Sequence, residues 1–537
     1  MSSHPSVARF SRRQILQGFA AVAASSVLSG CGAASFSTII SSTSKLPVPS
    51  QPSSVPPAPT PQPLPIGSIT AASLTVAANA MGTFGEGFVG LAYQKQTLSM
   101  PLFTGANSDL IGLFKRLGSG VLRLGGSSVD QTVWTSEGKG QTSGQIAPLD
   151  IDALASFLRA TGWTCIYGVN LGGSATGATT PALAAAEVSY VYQQLGSSLV
   201  GVELGNECEN YGAPSSYYPY NWTIQRFESL WMQYRDAIVA VTPTAPLTGP
   251  AAASKVYGWT IPFGEYVTRS QINLLTQHYN RGPGISSTAT VDDLLSPDPA
   301  LATLLQELAA GSQSVDVPFR IAECTSYGSG GIAGVSNAFA SSLWAIDMVF
   351  NAALGGAAGV NFNAGSNVGG NSGGNSGGNS GGNSGDDAID TPIADNFGVV
   401  VGAQPSFYGL LLAKLAGQGT LLSTQLSAAS LNVTSYAVSN ADGGLSLVIV
   451  NKDATQNLDL SIALPAAMTS AALQTMTQLS PGATTPDLTA LSGVTIQGAS
   501  VATDGSFNPG TAYALTVSGK QLSCYVPSLS AVLIQLS

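Results

Sequence analysis

Two stretches decide how this chain is read: Val202-Glu203-Leu204-Gly205-Asn206-Glu207 and Phe319-Arg320-Ile321-Ala322-Glu323. Each reads as a buried strand that delivers a glutamate to its C-terminal end. Charged residues make up 9% of the composition, so a carboxylate closing an apolar run is poorly explained as surface decoration. Either glutamate alone would serve to cap a following helix or to enter a loop ion pair. Together, and with Gly205-Asn206 beside the first, they supply what hydrolysis of a glycosidic bond needs: one general acid/base and one nucleophile.

Outward from these stretches, apolar and β-branched runs recur with helical or loop segments between them. The runs are Phe88–Tyr93, Val121–Gly126, Thr164–Asn170, Leu199–Glu207, Pro246–Pro250, Ile272–Asn280, Phe319–Ser326 and Gly356–Asn363. Amphipathic spacing marks helices in Ala182–Leu195, Phe227–Val241 and Ser336–Leu354. Eight alternating units predict an α/β fold, a (β/α)8 TIM barrel over residues 83–415, with chemistry at the C-terminal ends of the strands. On this count Glu207 ends strand 4 and Glu323 ends strand 7. Arg123, Asn170, His278-Tyr279-Asn280 and Asn361/Asn363 stand at other strand ends and are expected to converge on them.

After residue 415 the texture changes. Leu431–Ser439, Gly444–Asn451, Leu458–Ala463, Gly510–Val517 and Ala531–Leu536 alternate like half-buried antiparallel strands between Gly, Asn and Asp turns. A C-terminal antiparallel β-sandwich over 416–537 fits, and residues 67–82, which include the alternating Ser73–Ala77, are expected to lend it a strand. Such a sandwich either packs beside the barrel or binds carbohydrate. Gly369–Ser384 is four copies of Gly-Gly-Asn-Ser, a run without core-forming side chains. It follows strand 8, so it is either a tolerated surface repeat or a flap over the cleft.

The N-terminus reads as an address. Arg12-Arg13 precede an alanine-rich apolar stretch too short for a permanent span, which ends in Leu28-Ser29-Gly30-Cys31. This resembles a twin-arginine signal joined to a bacterial lipobox over residues 1–31, with Cys31 the residue to be lipidated; a plain secretory signal is the alternative. Residues 32–66 are rich in Ser, Thr and Pro and read as a tether. The expected location is therefore the bacterial cell envelope, with membrane contact only through the lipid.

The net charge is −10 and the isoelectric point about 4.6. With no basic cluster beyond Lys115-Arg116, the chain is a poor partner for nucleic acid or for long polyanions. A small anionic sugar needs only a local pocket of donors and stays open. The five cysteines show neither CxxC nor metal-type spacing, so no cofactor or metal is expected. Cys165, Cys208 and Cys324 read as small apolar fillers at strand ends. A Cys/His hydrolase is disfavoured because His278 is the sole histidine outside the signal region.

With these strands in place the chain resembles glycoside hydrolase family 79, the β-glucuronidase and heparanase family of the retaining (β/α)8 clan. The resemblance runs from about Phe88 to Leu412. It is carried by Phe88–Tyr93, Leu122-Arg123-Leu124-Gly125-Gly126, Gly205-Asn206-Glu207, Gln277-His278-Tyr279, Ala322-Glu323-Cys324, Leu343-Trp344-Ala345-Ile346-Asp347 and Gly359-Val360-Asn361-Phe362. It implies an exo-acting retaining β-glucuronidase, with Glu207 as acid/base and Glu323 as nucleophile. Asn206 would bond the sugar 2-OH, Arg123 and Tyr279 would hold Glu323 ionised, and Glu323 in turn would raise the pKa of Glu207. His278 and Asn170 join the expected substrate contacts. Tyr327 and the amides near Gly330 would receive the C6 carboxylate of a β-linked uronide.

Gln94, Asn280 and Asn363 depart from the family's usual residues, which keeps a β-glycosidase for neutral sugars open. A catalytically silent carbohydrate-binding lipoprotein is the reading from another class, and it gives no reason for two opposed carboxylates. The sequence leaves the oligomeric state undetermined.

Overall fold

The computed structural model describes residues 60–284, 288–365 and 389–537. The signal region, Cys31, most of the tether and the Gly-Gly-Asn-Ser repeat lie outside the described residues.

Eight parallel strands close into a barrel: Val89–Gln94, Val121–Gly125, Thr164–Val169, Leu199–Leu204, Leu247–Ala252, Leu274–Asn280, Phe319–Thr325 and Val360–Ala364, here strands 1 to 8. Strand 8 returns to strand 1 through the register Val360↔Val89 to Ala364↔Tyr93. Each strand feeds a covering helix, among them Ser108–Arg116, Pro148–Thr161, Pro181–Leu195, Ile224–Val241, Pro299–Val315, Phe339–Leu354 and Pro405–Leu415. Their starts follow capping chemistry. The side chains of Asn107, Thr180, Thr223 and Asp298 accept the N–H of Leu110, Leu183, Arg226 and Leu301, and proline occupies the first turn of four of these seven helices.

The strands are near-continuous apolar runs because helices cover them outside and side chains fill them inside. At the lower end of the barrel the filling is polar. Arg320 Nε donates to Asn361 Oδ1 at 2.5 Å, and Asn361 Nδ2 donates to the carbonyls of Leu91 and Val121. Asn361 therefore belongs to the floor of the barrel, not to the catalytic end where its sequence position suggested it. It is fully buried, and its amide is spent on backbone carbonyls of strands 1 and 2.

The C-terminal domain is one continuous eleven-stranded sheet that closes around its own core of Leu74, Val76, Leu447, Ile449, Leu460, Ile462, Leu473, Val532 and Ile534. The strand Ser68–Phe84, N-terminal to the barrel, sits inside this sheet. It runs antiparallel to Gly419–Ser427 and parallel to Gln456–Ala463. Its buried residues alternate as Ala72, Leu74 and Val76, the period of a strand with one wet face. In the central strand Leu445–Asn451 every residue is buried. Leu447 and Ile449 face the sheet's own core, whereas Val448 and Val450 pack toward the barrel.

The two domains are pinned at Asp347 on the helix Phe339–Leu354. Its carboxylate accepts from Lys452 Nζ at 2.5 Å, Thr434 Oγ1 at 2.6 Å and Tyr436 Oη at 2.8 Å, while Phe350 stacks on Tyr436 at 4.6 Å. The tether expected to run through residue 66 already lies along the sheet by Gln62, which exchanges hydrogen bonds with the backbone of Tyr525 at 2.6 and 2.9 Å.

Candidate active site

Arg123, in the middle of strand 2 and fully buried, organises the catalytic end. Its Nε bonds Glu203 Oε2 at 2.7 Å, its Nη1 bonds Glu323 Oε2 at 2.9 Å, and its Nη2 donates to Asn206 Oδ1 at 2.9 Å. One planar guanidinium thus fixes three groups from strand 4, the loop after it and strand 7, a task that suits its rigid fork. Burial alone would lower its pKa, but the charges of Glu203 and Glu323 overcome this and raise it. Glu203 was overlooked in the sequence. It stands one residue into the quoted Val202–Glu207 run, and a charged side chain there has no place except beside an opposite charge.

Strand 4 ends at Leu204, so Glu207 lies three residues past it and not on it as expected. Its φ of 49° places it in the left-handed region, which costs a non-glycine residue energy. A hydrogen bond from Glu207 N to Ala251 O at 2.9 Å holds it there. Beneath it, buried Asp130 accepts the amides of Leu171 and Gly172, each at 2.9 Å, and the hydroxyl of Tyr211 at 2.5 Å. The Tyr211 oxygen in turn lies 3.4 Å from Asn206 N. Asp130 carried no signal in the sequence, since its partners come from loops far along the chain.

Single oxygens of Glu207 and Glu323 and a ring nitrogen of His278 all lie within 4.8 Å of one another. Among the described residues this is the trio whose atoms are close enough to share a cation. Arg123 already supplies the positive charge at Glu323, so the arrangement suits proton transfer better than metal binding. His278 Nδ1 stands 3.1 Å from Glu207 Oε1. Its Nε2 is buried without a hydrogen-bond partner.

The expected raised pKa at Glu207 is not what the geometry yields. Burial pushes it up, but the hydrogen bond and charge of His278, with Arg123 adding, bring it below the ordinary carboxylate value. Sequence alone could not anticipate this, because it rests on which strand-6 residue points inward. That residue is His278, placed here against Glu207 and not in a free sugar-binding position.

Two other expectations need correction. Tyr279 does not reach Glu323: its hydroxyl donates to Asp298, which also pairs with Arg281 Nη1 at 2.9 Å. On a strand end, successive side chains face opposite sides, so His278 and Tyr279 cannot both enter the barrel. Asn170 is 2% exposed and engaged by the loops around it. Its amide donates to the carbonyls of Asp130 and Thr132 and accepts the N–H of Gly173. It builds the loop after strand 3, with both amide hydrogens committed and its side chain buried away from a sugar.

Past Glu323 the chain forms the turn that ends in Gly330 and Gly331, whose φ values of 80° and 99° require glycine. Tyr327 is buried beside it, with its hydroxyl bonded to Arg281. The departures noted in the sequence also find places. Gln94 Oε1 accepts Ser128 N at 3.0 Å, Asn280 Oδ1 accepts the hydroxyl of Thr325, and Asn363 Nδ2 approaches Asp390 Oδ1 at 3.4 Å. Cys165, Cys208 and Cys324 are buried free thiols.

No family model matches this sequence, and no curated protein does. Solved structures are similar in fold. A 4-O-α-L-rhamnosyl-β-D-glucuronidase from Fusarium oxysporum 12S superposes with a TM-score of 0.66 at 16% identity, over 86% of this chain and 99% of that one. A family 51 arabinofuranosidase from Xanthomonas axonopodis pv. citri gives 0.61 at 14% identity, over 87% and 100%. A family 44 xyloglucanase from Paenibacillus polymyxa gives 0.58 at 10%, over 87% and 99%. At these identities what is shared is the architecture: the chain has the barrel-plus-sheet fold of these glycoside hydrolases.

Proposed function

We propose that this chain is an exo-acting, retaining β-glycoside hydrolase whose sugar is a β-glucuronide. The observation that carries the reaction type is the pair Glu207 and Glu323, with oxygens within 4.8 Å and unlike partners, His278 on one and Arg123 on the other. Retention needs carboxyl groups about 5–5.5 Å apart, whereas inversion needs room for a water between them.

Arg123 keeps Glu323 ionised and aimed as the nucleophile. Glu323 attacks the anomeric carbon while Glu207 gives its proton to the leaving oxygen. The glycosyl ester at Glu323 no longer carries a negative charge. Glu207, now a carboxylate, takes a proton from water, and the hydroxide oxygen displaces Glu323 from carbon. Asn206 keeps its Nδ2 for the 2-OH, since only its Oδ1 is taken by Arg123.

Support for the uronide comes from Tyr327, Arg281 and the Gly330–Gly331 turn beside the nucleophile, and from the fold shared with a protein described as a glucuronidase. One observation favours a neutral sugar instead: Arg281 is largely committed to Asp298 and to the carbonyls of Asp293 and Ser296. Hydrolysis of p-nitrophenyl β-D-glucuronide against the β-D-glucoside and β-D-galactoside decides between them. Proton NMR of the first-formed product should show the β-anomer, and an α-anomer would end the retaining assignment. Hydrolysis of none of the three by folded protein would move the reading to a carbohydrate-binding lipoprotein.

Export and lipid anchoring rest on residues 11–31 and are proposed from sequence alone. Among the described residues no helix is long and apolar enough to cross a membrane. Changing Cys31→Ser should release the protein from the membrane fraction of the cell.

A further inference from the structure

An open cleft beside the acid/base has no part in the reaction as derived so far. Its volume is about 590 Å³, and its walls include Ser254, Lys255, Tyr257, His278, Asn280 and Glu307. That volume lies within the range of small-molecule sites, roughly 300–1,000 Å³.

The loop after strand 5 sets its position. Glu207 N bonds Ala251 O at 2.9 Å, and Glu209, buried two residues past the acid/base, accepts Ser254 N at 2.8 Å. Both bonds hold this loop against the turn that carries Glu207. His278, which borders the cleft, stands 3.1 Å from Glu207 Oε1. Arg123, the partner of Glu323, is not among the walls. A general acid stands where the leaving oxygen is, so a cleft on the Glu207 side receives the leaving group and not the sugar that is cut.

The walls fit one kind of leaving group. Tyr257 is 63% exposed. Nearby Lys255 has a φ of 58°, in the left-handed region that a long side chain rarely adopts. Such strain persists where the surroundings hold it, and Gly258 N bonds Lys255 O at 3.0 Å. Lys255 and Glu307 bring opposite charges to the cleft, and Asn280 adds an amide. A neutral sugar ring matches this set. Its C–H face packs on an aromatic ring, and its hydroxyls both donate and accept. A purely apolar group would leave the polar walls unpaired.

We propose that this cleft is the leaving-group subsite and takes a neutral sugar ring stacked on Tyr257, so that the substrate is a glycan and not a small aryl or alkyl glycoside. In the first step the bond from the anomeric carbon to the bridging oxygen breaks. Its electron pair stays on that oxygen, and the Glu207 proton makes it a hydroxyl of the departing ring. The proposal rests on Glu207 acting as the acid in the reading above, and it holds for a uronide or a neutral sugar alike.

The test uses disaccharides in which the cut sugar is β-linked to O3, O4 or O6 of glucose, the cut sugar being the one whose p-nitrophenyl glycoside the wild type cleaves. Their kcat/KM is compared with that of the β-fluoride of the same sugar, whose leaving atom fills no subsite. The comparison covers wild type, Tyr257→Ala and Tyr257→Phe, each checked for folding by thermal melting. The disaccharide-to-fluoride ratio should fall about tenfold in Tyr257→Ala. Tyr257→Phe, which keeps the ring, should restore most of it.

A ratio that does not move in Tyr257→Ala overturns the subsite while the hydrolase reading stands. So does a wild type that cleaves the fluoride but none of the disaccharides. Glu207→Gln tests the reading beneath. It should lower kcat/KM for the disaccharide far more than for the fluoride, which leaves without a proton. If it affects both alike, Glu207 is not the acid and the subsite falls with that assignment.

Discussion

At the scale of single residues, His278 sets when the site can act. Glu207 must carry a proton to protonate the leaving oxygen, and its pKa is held below the ordinary carboxylate value by His278. The expected consequence is a kcat/KM that falls on the alkaline side at an acidic pH, as Glu207 deprotonates. Removing His278 takes away the largest of the influences that lower this pKa, with Arg123 and Asn210 remaining. In His278→Ala the alkaline fall should therefore move to higher pH, with the acidic side unchanged; a pH–rate profile checks this, and an unmoved alkaline limb would show that His278 has no hold on Glu207. Exchange of Glu207→Gln or Glu323→Gln should lower kcat by on the order of 10²–10⁴. Arg123 answers to a different measurement. Arg123→Met would leave the buried Glu203 without its opposite charge, beside the half-buried Glu323, and loss of one partner from a buried pair typically costs about 3–5 kcal/mol. Chemical denaturation should show that loss, and activity should fall with it.

Among the elements, the eight strands were legible because a parallel barrel buries both faces of each strand and so writes it as an apolar run. Runs such as Val121–Gly125 and Thr164–Val169 stand out against a loop-rich background. What resisted reading was direction. Tyr279 turns outward beside an inward His278, whereas Asn361 shares a side of its strand with Asn363 and differs from it only in lying lower in the barrel. A shift of one residue reverses the side on which a side chain lies, and apolar runs without alternation carry no mark of that phase. Asp130 was invisible for another reason. Its role comes from loops joined only in space, and nothing adjacent in sequence announces it. The C-terminal strands were legible by their alternation, yet the continuity of the sheet was not, because pairing partners leave no local trace. The loop after strand 4 carries an element-scale expectation. Tyr211→Phe would strip Asp130 of its hydroxyl donor and loosen the turn that presents Asn206 and Glu207. KM should change little and kcat should fall about tenfold, as expected of lost positioning.

For the molecule as a whole, Asp347 is the joint between barrel and sheet. It accepts three hydrogen bonds from the sheet, one of them from the ammonium of Lys452, which is 4% exposed. Asp347→Ala strands that ammonium and should cost about 3–5 kcal/mol of stability. The carboxylates of the active site lie elsewhere, on strand 7 and in the loop after strand 4, so kcat at room temperature should stay near wild type; a thermal melt paired with an activity assay separates the two effects. A last consequence follows from the strand Ser68–Phe84, whose parallel partner begins at Gln456. The two are 388 positions apart (456 − 68). At a synthesis rate of about 5–20 residues per second, this seventeen-residue strand waits roughly 20–80 s on the ribosome before its parallel neighbour exists. Its exposed edge is an aggregation hazard for all of that time, so the yield of active protein should depend on chaperone supply during translation more than on the stability of the finished fold.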